Sequence, residues 1–241
     1  MGILSRVPRS RLYVLVGVVV AAVAAVGLIV ALAGGKSSSS PTTTTTTSPQ
    51  AGGTEAKSTF ARVPQHGDTL GNPSAPVTLM VFEDPQCPYC KQWNIDTLPT
   101  VVENYVRTGR IKIVYHGIVV IGPNSVAGLR AAYAAGQQNK LWNMVEALYE
   151  RQGAENSNWI TLSVIRSAAH EVGAAPATLI TAADSKAVTA QLTQSAKLAQ
   201  TYGVNGTPTF AIQRQLGPLE QLQVSSLEPG GFTSSLDQAL R

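Results

Sequence analysis

The sequence contains very little cysteine: Cys87 and Cys90 are the only two among 241 residues. Because they are three positions apart, a disulfide between them closes a very small loop and removes little entropy from the unfolded chain. No third cysteine is present to pair with either one. This shortage excludes a fold held together by structural disulfides. It indicates that the pair serves thiol–disulfide exchange or, as the alternative, metal binding.

Charge is also scarce, since Asp, Glu, Lys and Arg make up 13% of the chain. The formal net charge is +4, and residues 1–36 account for all of it with Arg6, Arg9, Arg11 and Lys36 and no acid. The remaining 14 basic and 14 acidic residues cancel. The basic character therefore belongs to the N-terminus, and we expect no nucleic-acid partner.

One long apolar run is present, the 22 uncharged residues from Leu12 to Ala33. As a helix it would be about 33 Å long, enough for a hydrocarbon core of roughly 30 Å. Three arginines precede it, so we predict a cytoplasmic segment at 1–11, a membrane helix at 12–33 and a catalytic domain outside the cytoplasm. The alternative is a cleaved signal peptide ending at Ala31-Leu32-Ala33, although the run is long for a signal. No cysteine directly follows the run, which excludes a lipoprotein anchor.

Residues 34–59 are mainly Gly, Ser, Thr and Pro. Such a segment buries too little apolar surface to offset the entropy lost on ordering, so we predict a disordered linker. It would tether the following domain, either as a bare spacer or carrying O-linked sugar. We expect the folded domain to span residues 60–241.

The pattern in that domain predicts an α/β fold. Residues 77–82, 90–106 and 111–115 read as strand, helix and strand, with the cysteines at the start of the helix. A helical insertion is expected over about 120–203, because only helical spacing is found there. A hairpin at 209–212 and 219–224 and a helix at 232–240 complete the predicted order, βαβ, helices, ββα.

Two motifs within this order resemble a known family. Phe82-Glu83-Asp84-Pro85-Gln86-Cys87-Pro88-Tyr89-Cys90 and Gly206-Thr207-Pro208-Thr209-Phe210 are similar to the DsbA-like thiol–disulfide oxidoreductases of bacterial envelopes. Residues 131–135 and 141–144 also resemble that family's helical insertion. The resemblance covers about residues 65–241. It implies a thioredoxin fold with an inserted all-helical subdomain.

The positions in the first motif predict distinct roles. Cys87 is expected at a helix N-terminus, where free N–H groups and the helix dipole stabilise a thiolate, so it is the predicted nucleophile. Cys90, one turn further along, is the predicted resolving thiol. Pro88 suits the first helical turn, where its missing N–H costs nothing. Tyr89 lies between the two sulfurs and is expected to influence their balance.

The resemblance also implies that Pro208 follows a cis peptide bond and faces the cysteines. The backbone of Thr207 would then be exposed to pair with an extended substrate segment. Thioredoxin-like proteins often carry a buried acid six residues before the first cysteine, but Val81 occupies that position here. Glu83 and Asp84 are therefore the candidate proton acceptors for Cys90. Alternatively, they form a solvated strand end or a helix cap.

We expect an extracytoplasmic enzyme that introduces disulfides into exported proteins through Cys87 and Cys90. The resemblance implies re-oxidation by an integral membrane, quinone-linked oxidase, and neither a cofactor nor a resident metal is predicted. A membrane-tethered reductase or isomerase is the first alternative. A copper or zinc carrier that uses the CxxC pair as soft ligands, and a redox-inert binding module, are the others.

Overall fold

The computed structural model describes residues 59–241. The predicted cytoplasmic segment, the predicted membrane helix and the linker up to residue 58 lie outside the described residues. Among residues 59–241, no helix combines the length and the apolar character needed to cross a bilayer.

Within the described residues, six strands form one mixed sheet in the order β1-β2-β4-β3-β5-β6. The central strands β3 and β4 are parallel, and every other neighbouring pair is antiparallel. The strands are β1 (Gln65–His66), β2 (Thr69–Leu70), β3 (Val77–Glu83), β4 (Ile111–Gly117), β5 (Thr209–Arg214) and β6 (Leu219–Gln221).

The central strand β3 is buried because it is apolar along nearly its whole length. Leu79, Val81 and Phe82 have no exposed surface. Since side chains alternate between the two faces of a strand, Leu79, Val81 and Glu83 point to one face and Phe82 points to the other. The face with Glu83 is the one that bears the main core.

The connection from β3 to β4 is an interrupted helix. It consists of α1 (Pro88–Gln92) and α2 (Leu98–Val101), each followed by a π-helical turn, at Trp93–Thr97 and Val102–Val106. Pro99 lies at the start of α2, where the missing N–H breaks the regular hydrogen-bond ladder. Gly109 ends the connection with φ of 72°, a left-handed conformation that glycine adopts without steric cost.

Between β4 and β5, a stretch that lies wholly within the described residues, the chain forms helices and no strand. Ser185 caps the last of them, since its side chain accepts a hydrogen bond from the Val188 N–H at 3.2 Å. The helices are α3 (Ser125–Gly136), α4 (Leu141–Glu150), α5 (Leu162–Glu171), α6 (Pro176–Ala183) and α7 (Lys186–Thr201). This is the predicted helical insertion.

The chain ends with the hairpin of β5 and β6 and with α8 (Pro229–Ala239). The rings of Trp93, Phe210 and Phe232 meet here, with centroids 4.4 to 4.9 Å apart, and join α8 to the sheet and to the cysteine-bearing helix. The order βαβ, helices, ββα agrees with the sequence prediction. β6 is shorter than the predicted strand at 219–224, and β1, β2 and α6 were not predicted.

Candidate active site

The two cysteines lie at the first turn of α1. Cys87 is the N-cap residue in extended conformation, and Pro88 is the first helical residue. Both thiols are free. Cys87 is 3% exposed and Cys90 has no exposed surface. Cys87 is therefore nearly covered, and Cys90 is completely covered.

The segment before β5 covers Cys87. The peptide bond between Thr207 and Pro208 is cis. The Cys87 thiol donates a hydrogen bond to the backbone carbonyl oxygen of Thr207 over 3.2 Å. The fold thus brings the predicted nucleophile and the predicted substrate-binding segment into direct contact.

The surroundings shift the pKa values of the two thiols in opposite directions. A hydrogen bond from Cys90 lowers the pKa of Cys87 to about 6, against the effect of burial, with smaller contributions from Thr207 and from the N–H groups of Cys90 and Tyr89. Burial raises the pKa of Cys90 well above its usual value, helped by its donation to Cys87 and by the charges of Glu83 and Cys87. These shifts favour the thiolate form of Cys87 and the thiol form of Cys90. The hydrogen bond from Cys87 to the Thr207 carbonyl oxygen is made only while Cys87 is protonated.

Pro88 and Tyr89 separate the two cysteines along the chain, and both are exposed to solvent. The Tyr89 side chain is 63% exposed. An exposed aromatic ring beside a reactive sulfur presents an apolar contact to whatever approaches that sulfur. The exposed ring can make this contact whether or not Tyr89 also influences the pKa values of the two thiols.

Glu83 is a fully buried carboxyl group at the end of β3. It lies two residues after Val81 and therefore on the same strand face, so the strand carries its acid one pleat further along than thioredoxin-like proteins often do. Burial raises the pKa of Glu83 to about 8, and the charge of Cys87 adds to the rise, while a hydrogen bond from Tyr149 opposes it.

Asp84 is equally buried, but its carboxylate is fully engaged. One oxygen accepts hydrogen bonds from the Gln86 N–H at 2.9 Å and the Ser125 hydroxyl at 2.6 Å. The other accepts from the N–H groups of Val120 and Ile121 at 2.8 and 2.9 Å. Asp84 thus ties the loop before the cysteines to the loop after β4.

Two residues of the helical insertion reach the site without having been predicted from the sequence. The Tyr149 hydroxyl lies 3.1 Å from Glu83 Oε2 and 3.2 Å from the Asp84 carbonyl oxygen. The Gln152 side-chain amide donates to the carbonyl oxygens of Pro85 and Cys87, both at 3.0 Å. Neither residue lies in a motif, so no local signal marks it.

A family model described as Thioredoxin matches residues 65–223, which is more than half of the chain. The chain belongs to the thioredoxin family. A thioredoxin-like oxidoreductase from Silicibacter pomeroyi DSS-3 is 31% identical, with a TM-score of 0.56, over 71% of this chain and 90% of that one. Oxidised BdbD from Bacillus subtilis shares the fold at 22% identity, with a TM-score of 0.62, over 74% of this chain and 97% of that one.

Among curated relatives, the probable disulfide bond formation protein D of Bacillus cereus is 30% identical over 105 residues. That alignment covers 43% of this chain and 49% of the relative, so the chain spans about half of the relative's length. These similarities confirm the predicted thioredoxin-like α/β fold with a helical insertion.

Across residues 59–241, no group of three or more His, Cys, Asp or Glu side chains is placed to hold a metal ion. The two CxxC sulfurs therefore have no third protein ligand of these types in the described part of the chain.

Proposed function

We propose that this protein is an extracytoplasmic thiol–disulfide oxidoreductase that introduces disulfides into exported proteins through Cys87 and Cys90. The observation that carries the proposal is the environment of Cys87, which sits at the N-terminus of α1 with a pKa of about 6. A stabilised thiolate favours the reduced form of the couple, and the corresponding disulfide is an oxidant.

The reaction begins with the protein oxidised. A substrate thiolate attacks Cys87 Sγ, the Cys87–Cys90 bond breaks, and a mixed disulfide forms between substrate and Cys87. Cys90 leaves as a thiolate and takes up a proton. A second substrate thiolate then attacks the substrate sulfur of the mixed disulfide and releases Cys87 as a thiolate. The substrate gains one disulfide, and the protein gains two electrons.

Glu83 is the proposed partner in that proton transfer. Its carboxyl group is fully buried, and its charge helps to raise the pKa of Cys90. A pKa of about 8 leaves it protonated at neutral pH and able to supply the proton that the Cys90 thiolate needs. Asp84 is the weaker candidate because four hydrogen bonds already occupy its two oxygens. We assign it to holding the loop.

Substrate binding is proposed for the surface around Cys87. The Thr207 backbone lies against the Cys87 sulfur and would pair with an extended substrate segment as an added strand. Pro208 and the exposed ring of Tyr89 would flank that segment. Since the contacts are to backbone and to one aromatic ring, many substrate sequences would be accepted.

The proposed setting is the outer face of the cell membrane. The apolar run at 12–33 supports a single-pass anchor, and residues 34–59 support a tether long enough for the domain to reach unfolded chains. The enzyme would be re-oxidised by an integral membrane, quinone-linked oxidase, as the DsbA-like resemblance implies. A metal carrier is the weaker reading, because the CxxC pair has no third ligand within residues 59–241.

The experiment that tests the direction of electron flow is an equilibrium titration of the Cys87–Cys90 couple in the full chain against glutathione. A potential near about −120 mV places the protein with the oxidants. A potential near about −270 mV places it with the reductants and rejects the proposal.

Activity is then tested with a reduced, unfolded protein that contains two cysteines. The oxidised full chain should remove two substrate thiols per turnover. Cys87→Ser should remove none. Cys90→Ser lacks the disulfide that the substrate attacks, so it should also remove none. If oxidation persists in Cys87→Ser, thiol exchange at this site is not the activity.

A further inference from the structure

The Tyr149 hydroxyl occupies a position between two acceptors. It lies 3.1 Å from Glu83 Oε2 and 3.2 Å from the Asp84 backbone oxygen. Tyr149 is only 1% exposed. One O–H can donate a well-aligned bond to only one of these oxygens at a time. The hydroxyl oxygen can also accept a bond. Tyr149 can therefore make different bonds as the protonation of Glu83 changes.

We propose that Tyr149 is a positioning residue that keeps the Glu83 carboxyl group hydrogen-bonded both before and after it exchanges a proton with Cys90. With Glu83 charged, the Tyr149 O–H donates to Oε2. With Glu83 protonated, the carboxyl O–H donates to the Tyr149 oxygen, and the Tyr149 O–H turns to the Asp84 carbonyl. The inference rests on the proposed role of Glu83 in the exchange reaction.

None of the other groups around Glu83 stabilises its charged form as strongly as Tyr149 does. The charge of Glu83 is coupled to Cys87 at the N-cap of α1, to Cys90 on α1 and to Tyr115 on β4, and Asp84 is the next residue in the chain. None of these is a cation, and no described Lys, Arg or His acts on the charge of Glu83. The indole of Trp93 favours the charged form, but less than Tyr149 does. Tyr149 is thus the main group that stabilises the carboxylate.

The consequence is that α4 of the helical insertion takes part in the chemistry of the thioredoxin-like half. Tyr149 lies on α4, and Glu83 is the last residue of β3, 66 residues earlier in the chain. Removing the hydroxyl takes a hydrogen bond from both forms of Glu83. The charged form loses more, because hydrogen bonds to charged groups are the stronger ones. We therefore expect the pKa of Glu83 to rise when the Tyr149 hydroxyl is removed.

The test is the reaction of the reduced full chain with 5,5′-dithiobis(2-nitrobenzoate), in which thionitrobenzoate is released in two successive steps. The Cys87 thiolate attacks one reagent sulfur, the reagent disulfide breaks, and the first thionitrobenzoate leaves. Cys90 then gives its proton to the Glu83 carboxylate and attacks Cys87 Sγ. The Cys87–Cys90 bond forms, and the second thionitrobenzoate leaves. The rate of the second release as a function of pH reports the proton transfer.

In the unmodified protein the rate of the second release should rise with pH, with its midpoint at or just below the pKa of Glu83, about 8, and should level off above that pH. Tyr149→Phe should move this midpoint up by about one pH unit, the size expected when a carboxylate loses a buried hydrogen bond. The first release, which depends on Cys87, should keep its profile. Tyr133→Phe is the matched control, because it removes a buried hydroxyl that binds the Gly117 N–H and Ser195 instead of Glu83.

The proposal is overturned if Tyr149→Phe titrates at the same pH as the unmodified chain, or if Glu83→Gln leaves the midpoint in place. Adding Tyr149→Phe to Glu83→Gln should change nothing further. Should Tyr149→Phe not fold, 3-fluorotyrosine at position 149 gives a stronger donor and must lower the midpoint. The redox potential tests the proposed function separately, since the second release can be timed whichever way electrons flow in the cell.

Discussion

The thiol of Cys87 lies 3.2 Å from the backbone oxygen of Thr207, although 120 residues separate the two in the chain. The contact joins the βαβ unit to the ββα unit at the reactive sulfur. In the proposed reaction, a polypeptide bonded to Cys87 would lie beside the backbone of Thr207. The helical insertion fills the sequence between these two residues and supplies Tyr149 and Gln152 to the inner side of the same site.

Removing the Cys90 thiol should make Cys87 less acidic. The hydrogen bond from Cys90 is the largest cause of the low pKa of Cys87, about 6. Alkylation of Cys87 by iodoacetamide should be half-maximal near that pH in the unmodified chain, and about one unit higher or more in Cys90→Ala. Cys90→Ser keeps a donor and should fall between the two. Identical profiles for Cys90→Ala and the unmodified chain would contradict this account.

Glu83 should make the folded protein less stable as the pH rises. Its pKa is 4.5 when unperturbed and about 8 in the fold, so the folded state keeps a proton that the unfolded chain has released. The stability linked to this proton is complete below the lower value and is lost as the pH rises through the higher one. The slope is at most about 1.4 kcal/mol per pH unit.

Glu83→Gln removes that dependence. The free energy of unfolding of Glu83→Gln, relative to the unmodified chain, should therefore increase from about pH 5 to about pH 8. Urea unfolding of the oxidised protein measures it, because Cys87 cannot titrate in the disulfide. Parallel curves for the two proteins would show that Glu83 is not buried as a neutral acid.

The main architecture follows from patterns that are visible in the sequence. The apolar run of β3 and the helical spacing of the insertion are long enough to identify their elements. β1 and β2 are only two residues long and have no period to detect. α6 begins at Pro176 and has no side-chain cap, so the usual start signal is missing.

Only the site residues that lie in short sequence motifs can be predicted from the sequence. Cys87, Cys90, Thr207 and Pro208 lie in motifs, whereas Tyr149 and Gln152 reach the site from 65 to 67 residues away. Glu83 and Asp84 are adjacent in the chain, but the alternation of side chains along β3 is enough to assign them to different faces and therefore to different roles. It places Glu83, and not Asp84, on the face that Val81 shares with the core.

His116 should make the protein sensitive to acid. It is buried, stacked on Phe82, with Nδ1 3.4 Å from the Ser195 hydroxyl oxygen. Burial lowers the pKa of His116 from 6.5 to about 4, so between these values the unfolded chain binds a proton that the fold does not. The stability linked to His116 is present above the higher value. It falls by up to about 1.4 kcal/mol per unit as the pH drops.

His116→Gln should flatten that loss, and His170→Gln, which changes an exposed histidine, should not. Urea midpoints measured from about pH 7 down to about pH 4 separate the two variants. Equal acid sensitivity of His116→Gln and the unmodified chain would assign the acid response to other groups.

Asp84 should contribute to stability and not to proton transfer. Asp84→Ala leaves the buried donors of Gln86 and Ser125 and the part-buried N–H groups of Val120 and Ile121 without their acceptor. Because each unpaired buried donor costs about 1–3 kcal/mol, the two buried donors alone predict a loss of about 2–6 kcal/mol. Asp84→Asn keeps one acceptor oxygen and should lose less. In Asp84→Asn the second thionitrobenzoate release should keep its pH midpoint, because Glu83 and the backbone oxygen that faces Tyr149 are both intact. If Asp84→Asn abolishes the midpoint as Glu83→Gln is expected to, the proton from Cys90 passes to Asp84, and the loop-holding role is wrong.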